Sequence, residues 1–186
     1  MRHHFLAQAA DVFAARGIAT YRYEFPYMQA GKNRPDSPGV AEAAVRAAVA
    51  VAAHRAPDLP LIAGGKSFGG RMTSQAQAKA PLPGVHGLVF LGFPLHAPGK
   101  PGTSRAEHLT SVDVPMLFLQ GTRDEFAQLD LLQQVVNGLG DRATLHLIAE
   151  GDHSFNVPKR TGKTESDVMD ELAQTIQQWA PRGEHA

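Results

Sequence analysis

Apolar residues recur at helical spacing as soon as the chain begins, at Phe5, Ala9, Val12 and Phe13, and Gly17 follows Arg16 as a natural stop. The first element predicted is therefore an amphipathic helix, and no capping residue precedes it. IATYRYEF at 18–25 predicts a strand. The stretch RPDSPGVAEAAVRAAVAVAAHRAP offers Asp36 or Ser37 as N-cap, Pro38 in the first turn, a long alanine-rich helix and a stop before Pro57. LPLIAG at 59–64 is too continuously apolar for a half-solvated strand and predicts a buried parallel one. A helix from about Ser67 to Lys79 follows it. VHGLVFLGF (85–93), VPMLFLQG (114–121) and ATLHLIAEG (143–151) are three further strands, with the glycine-closed helix LDLLQQVVNGLG between the last two. The chain then runs into TESDVMDELAQTIQQWA, where Thr164 and Asp167 have capping-box spacing and Val168, Leu172, Ile176 and Trp179 share one face.

Strands alternating with helices of this length imply a mostly parallel sheet, joined by right-handed crossovers and covered by helices on both faces. The fold class is α/β. No internal repeat or linker interrupts the 186 residues, a length that suits one domain with one sizeable core. The long irregular stretch at 97–113 lies beyond the carboxyl end of a strand, where open α/β sheets place their sites.

Composition narrows the function. Lys+Arg and Asp+Glu both number 18, and no basic stripe with interleaved aromatics is present, which argues against nucleic acid or an anionic membrane as partner. The absence of cysteine removes disulfides, thiolate metal sites and a cysteine nucleophile. No apolar stretch reaches the roughly 18 residues of a spanning helix, and Gln8, Asp11 and Arg16 break the N-terminal apolar run as a signal sequence would not. A soluble, cytoplasmic protein is the expectation.

The chemistry centres on GGKSFGG at 64–70. A Walker phosphate loop would need glycine where Pro60 stands, and no dinucleotide-binding glycine pattern fits. G-x-S-x-G does fit, as Gly65, Lys66, Ser67, Phe68 and Gly69, between an apolar strand and a helix. There a serine sits on a strained turn, with side chains two residues to either side expected to collide with neighbouring backbone, and the Phe68 N–H opens a helix where an oxyanion is favoured. A serine nucleophile needs a base and an orienting acid, in the order Ser, Asp, His along this kind of chain. Asp124 follows MLFLQGTR and His153 follows LHLIAEGD, both at carboxyl ends of predicted strands. The reading is Ser67 as nucleophile, His153 as general base and then acid, and Asp124 as its orienting carboxylate. Taken singly, Asp124 could be an ordinary loop or capping aspartate and His153 a surface histidine; order and placement together carry the assignment. Asp113 and Asp130 are weaker acid candidates.

These residues resemble the α/β-hydrolase superfamily, and within it a small dienelactone-hydrolase-like group whose eukaryotic relatives include testis-expressed protein thirty and the third subunit of the non-specific lethal complex. The matching stretches are RHHFLAQAADVFAARGIATYRYEFPYMQAGKNRPD, AGGKSFGGRM, LGFPLHAPGKP, LFLQGTRDEF and GDHSFNVPKR. The resemblance implies that a strand and an HGAG-like oxyanion loop precede the segment matching Met1 to His4 in relatives, so the chain is expected to be truncated at its N-terminus, the absent strand lying between 18–25 and 59–64. Direct pairing of those two strands is the alternative. Phe25, Tyr27, Phe93 and His96 sit just past strand ends and line an acyl pocket or simply pack under loops. Lys32, Arg34, Lys100, Lys159 and Arg160 are more readily solvated than gathered into a basic rim, and the adjacent His3 and His4 lack a carboxylate at metal-ligand spacing. The function expected is cleavage of a small ester or lactone without metal or cofactor and without a cap domain; the alternative is a non-catalytic interaction module. Substrate identity and oligomeric state are not legible.

Overall fold

The apolar runs at 85–91 and 116–121 need cover on both faces, and the structure provides it. The computed structural model describes residues 4–180. Its strands are β1 (Leu61–Lys66), β2 (Val85–Leu91), β3 (Met116–Gly121) and β4 (Ala143–Ile148), in the spatial order β1-β2-β3-β4 and parallel throughout. The helices are α1 (His4–Ala15), α2 (Pro26–Gln29), α3 (Pro38–Arg55), α4 (Phe68–Lys79), α5 (Leu129–Leu139) and α6 (Glu165–Trp179).

Because successive side chains of a strand point to opposite faces, β2 and β3 feed two cores. Leu88, Phe90, Met116 and Phe118 pack with Ala41 and Val45 of α3, Met72 and Ala76 of α4, and Leu132 and Val136 of α5. Val89, Leu91, Leu117 and Leu119 pack with Ala9 of α1 and with Val168, Leu172 and Ile176 of α6. All four strands run the same way, so their carboxyl ends share one edge of the molecule. The loops that leave those ends carry Ser67, Gly92, Asp124 and His153. Among the described residues no helix is long and apolar enough to cross a membrane.

The capping box of α6 forms as its spacing requires, with Thr164 accepting from the Asp167 N–H and Asp167 from the Thr164 N–H. Of the two candidate caps for α3, Ser37 takes the position, while Asp36 turns away to accept from the Tyr27 N–H at 2.9 Å.

Three segments depart from expectation. Residues 18–25 form no strand: the segment has no described strand to pair with, and strand preference expresses itself only where a partner supplies ladder and packing. Direct pairing with β1 therefore does not occur. Among the described residues β1 pairs with β2 alone and lies at the sheet edge, so its residues are half-buried rather than buried. The irregular stretch 97–113 also proves partly ordered, since residues Ser104–Ser111 form a 3₁₀ helix that buries Ala106 and Leu109.

Candidate active site

Ser67 follows β1 directly and caps α4 with φ 50° and ψ −117°, a conformation that costs a non-glycine residue about 1–3 kcal/mol. Its N–H donates to the Leu91 carbonyl at 3.1 Å and its carbonyl accepts from the Arg71 N–H at 3.2 Å, which hold the turn from both sides. The Phe68 N–H opens α4, in the turn whose donors have no intrahelical partner.

The glycines that permit this turn are not quite those the motif suggests. A Cβ at Gly65 would lie 3.0 Å from the Gly69 carbonyl carbon, and one at Gly70 would lie 2.7 Å from the Gly65 oxygen and 3.2 Å from the Phe90 ring. A Cβ at Gly69 would meet only the Phe25 ring, at an ordinary 3.8 Å. Close approach of the backbone thus falls two residues before and three after the serine. Gly70→Ala is expected to destabilise the protein by about 1–3 kcal/mol through overpacking, seen as a melting temperature lower by several degrees. Gly69→Ala should match or exceed the wild type, because alanine is the better helix former.

The three residues predicted from chain order converge. His153 Nε2 is 2.9 Å from Ser67 Oγ, and His153 Nδ1 is 2.7 Å from Asp124 Oδ2. The Asp124 side chain is fully buried, and 17% of the His153 side chain is exposed. A buried carboxylate needs donors, and Asp124 has them. The Phe126 N–H donates to Oδ1 at 2.8 Å, and Gln120 Nε2 donates to Oδ2, the oxygen that faces His153. Gln120 is itself fully buried, and its Oε1 accepts from the Phe93 N–H at 2.8 Å. With only acceptor oxygens facing Nδ1, the imidazole carries its proton there and presents Nε2 as acceptor to Ser67. The ring also lies against Phe126, with centroids 4.3 Å apart.

The loop bearing His153 is shaped by Asp152. Its carboxylate accepts from the Ser154 N–H at 2.8 Å, the Asn156 N–H at 2.9 Å and the Asn156 amide at 3.1 Å. Burial alone would raise this carboxyl, but those hydrogen bonds and the Lys66 charge together hold it below the usual range. Phe155, at φ 66°, donates its N–H back to the Asp152 carbonyl at 2.9 Å.

Gln120 and Lys66 escaped the sequence reading. For Gln120 a signal exists, since it is the one polar residue in the apolar run MLFLQG. Lys66 had none, because a lysine beside a turn reads as solvated.

The four residues proposed for a pocket part ways. Phe25 and the half-buried Tyr27 form an aromatic group with Phe68, the residue next to Ser67, at centroid distances of 5.3 and 6.1 Å. Phe93 is fully buried and packs edge-on against Phe90 and Phe118 in the core. His96 is buried with both ring nitrogens on backbone, Nδ1 at 2.9 Å from the Ala97 carbonyl and Nε2 accepting from the Gln128 N–H at 2.9 Å. It ties the loop after β2 to the start of α5. Of the basic residues considered for a rim, Arg160 pairs with Glu150. His3 lies outside the described residues, and among those described no three His, Asp or Glu side chains gather as a metal site would require. A shallow cavity of about 340 Å³ lies between α3, α4 and the 3₁₀ helix, lined by Glu42, Gln75, Lys79 and His108 among others, and includes no residue of the Ser67 group.

Comparison with solved structures finds the same architecture. A serine hydrolase without a lid, XC6422 from Xanthomonas campestris, matches with a TM-score of 0.73 at 21% identity, over 98% of this chain and 76% of its own. A serine hydrolase homologue from Coxiella burnetii matches with a TM-score of 0.72 at 17% identity, over 97% and 78%. The esterase domain of a Rhodothermus marinus protein matches with a TM-score of 0.66 at 13% identity, over 95% and 79%. A family model described as an alpha/beta hydrolase domain matches residues 1–181, nearly the whole sequence, and by that match the chain belongs to the α/β-hydrolase family.

Proposed function

We propose that this protein is a serine hydrolase that cleaves a carboxylic ester or lactone through an acyl-enzyme, with Ser67, His153 and Asp124 as its triad. One observation carries the reading: an unbroken line of hydrogen bonds runs from Ser67 Oγ through both nitrogens of His153 to Asp124. An interaction module has no use for that register, nor for a nucleophile held at φ 50°. The serine hydrolases and esterases among its structural neighbours, and the motifs GGKSFGGR and GDHSF, which resemble those of the dienelactone-hydrolase-like group, support the same class.

As Ser67 Oγ attacks the carbonyl carbon, its proton passes to His153 Nε2, and the electron pair of the C=O bond moves onto oxygen. The Phe68 N–H, at the positive end of α4, stabilises that oxyanion. Asp124 stabilises the imidazolium and keeps Nδ1 protonated. Collapse breaks the bond to the leaving oxygen, which takes the proton from Nε2. Water then repeats the sequence with His153 as base, and releases the acid. The rings of Tyr27 and Phe68 favour an apolar acyl group.

The test is labelling with a fluorophosphonate probe, peptide mapping of the modified serine, and a panel of short-chain esters and lactones. Modification of Ser67 with turnover of at least one ester or lactone is expected. Absence of labelling and of turnover would favour the interaction module.

A further inference from the structure

Lys66 is the last residue of β1, and its side chain leaves the strand toward the His153 loop. Nζ donates to the His153 carbonyl at 2.7 Å. The same ammonium stands over two aromatic rings, 4.5 Å from the centroid of Phe5 in α1 and 4.9 Å from that of Phe155, and the two rings stack on each other at 5.7 Å. Among the described residues no carboxylate lies within ion-pair distance of it. A desolvated ammonium with one carbonyl, two ring faces and the charges of Asp124 and Asp152 beyond ion-pair distance is a poor choice for stability, because those charges only partly offset its burial. An apolar chain of similar length would fill this place at lower cost, so stability does not account for the lysine.

We propose that Lys66 is a positioning residue for His153: by gripping the His153 carbonyl and seating Phe155 against α1, it holds the base in register with the serine that follows it in the chain. The kinetic part of this inference rests on the hydrolase reading above. Ser67 and Lys66 are consecutive, so the strand that presents the nucleophile also carries the tether of its base. The loop reaches this shape with Phe155 at φ 66°, a conformation that needs outside support. The clamp supplies that support.

The groups facing Nζ are Asp124 from the loop after β3, Asp152, the His153 carbonyl and the Phe155 ring from the loop after β4, and the Phe5 ring from α1. Burial pulls the Lys66 ammonium down from 10.5 to about 8, and the charges of Asp124 and Asp152 only partly offset it. A lysine lowered on folding weighs fully against the folded state below pH 8, and the penalty fades as pH rises from 8 toward 10.5. Function and stability therefore pull Lys66 in opposite directions.

Lys66→Met, which keeps the length and removes charge and donor, and Lys66→Arg, which keeps both, separate the two. At pH 7, Lys66→Met is expected to melt at or above the wild-type temperature, with any gain shrinking above pH 8. Its kcat for p-nitrophenyl acetate should fall on the order of 10- to 100-fold at unchanged KM, and the amides of Phe155 and Asn156 should exchange faster with deuterium. Lys66→Arg should restore most of both. Wild-type kcat and wild-type exchange in Lys66→Met would overturn the inference. Faster loop exchange in a protein whose wild type neither labels nor turns over esters would leave the positioning role standing and remove the hydrolase reading instead.

Discussion

Ser67→Ala is expected to lower kcat for ester hydrolysis on the order of 10⁴-fold or more and to abolish fluorophosphonate labelling, with the melting temperature changed little. The size follows from what is lost. Without Oγ the proton on its way to His153 Nε2 and the atom that forms the acyl bond are both gone, and only binding and the α4 N-terminus are left to assist water. Stability should hold because alanine inherits the same φ of 50° and the same backbone bonds to Leu91 and Arg71, while the hydroxyl's one partner, His153, lies 2.9 Å away with part of its ring open to solvent. Turnover of the chosen ester within tenfold of wild type would show that its hydrolysis takes place elsewhere on the protein.

Asp124→Asn is expected to cost about 10⁴-fold in kcat, for a different reason. Three donors converge on this carboxylate: the Phe126 N–H on one oxygen, and Gln120 Nε2 and His153 Nδ1–H on the other. Asparagine must place an NH₂ against one side of that set. Turned toward Phe126 it opposes an N–H. Turned toward His153 it forces the imidazole to carry its proton on Nε2, so the ring donates to Ser67 and no longer serves as a base. In either orientation the imidazolium loses its counter-charge in a buried site. The measurement is steady-state kinetics of the purified variant alongside its thermal melt. A well-folded Asp124→Asn with kcat near wild type would mean that another group orients His153.

Much of this was legible because the signals are local or ordinal. The runs of β2 and β3 are apolar at nearly every position, which only a sheet covered on both faces explains, and the α6 cap lies within four consecutive residues. Ser67, Asp124 and His153 could be picked out because each lies in the loop that leaves the carboxyl end of a strand in a parallel sheet, and parallel strands bring such loops to one edge whatever their separation in sequence. Where the reading failed, the deciding fact was a neighbour. IATYRYEF has the composition of a strand but no partner in the described sheet. LPLIAG has the composition of a central strand but occupies an edge. Phe93 and His96 follow the same strand end as Gly92, yet one turns into the core and the other is fastened to backbone.

By itself, then, the sequence determined the α/β class, the succession of β1 to β4 with α4 and α5 between them, and a serine, an aspartate and a histidine in the order that the proposed triad needs, because these follow from periodicity, glycine spacing and succession along the chain. Only the tertiary structure decided that Gly70 rather than Gly69 must lack a side chain, that Gln120 holds Asp124, and that Lys66 is desolvated between Phe5 and Phe155 with its ammonium on the His153 carbonyl. Those facts depend on how closely segments separated by tens of residues approach one another, and no local pattern of residue types encodes a distance of that kind.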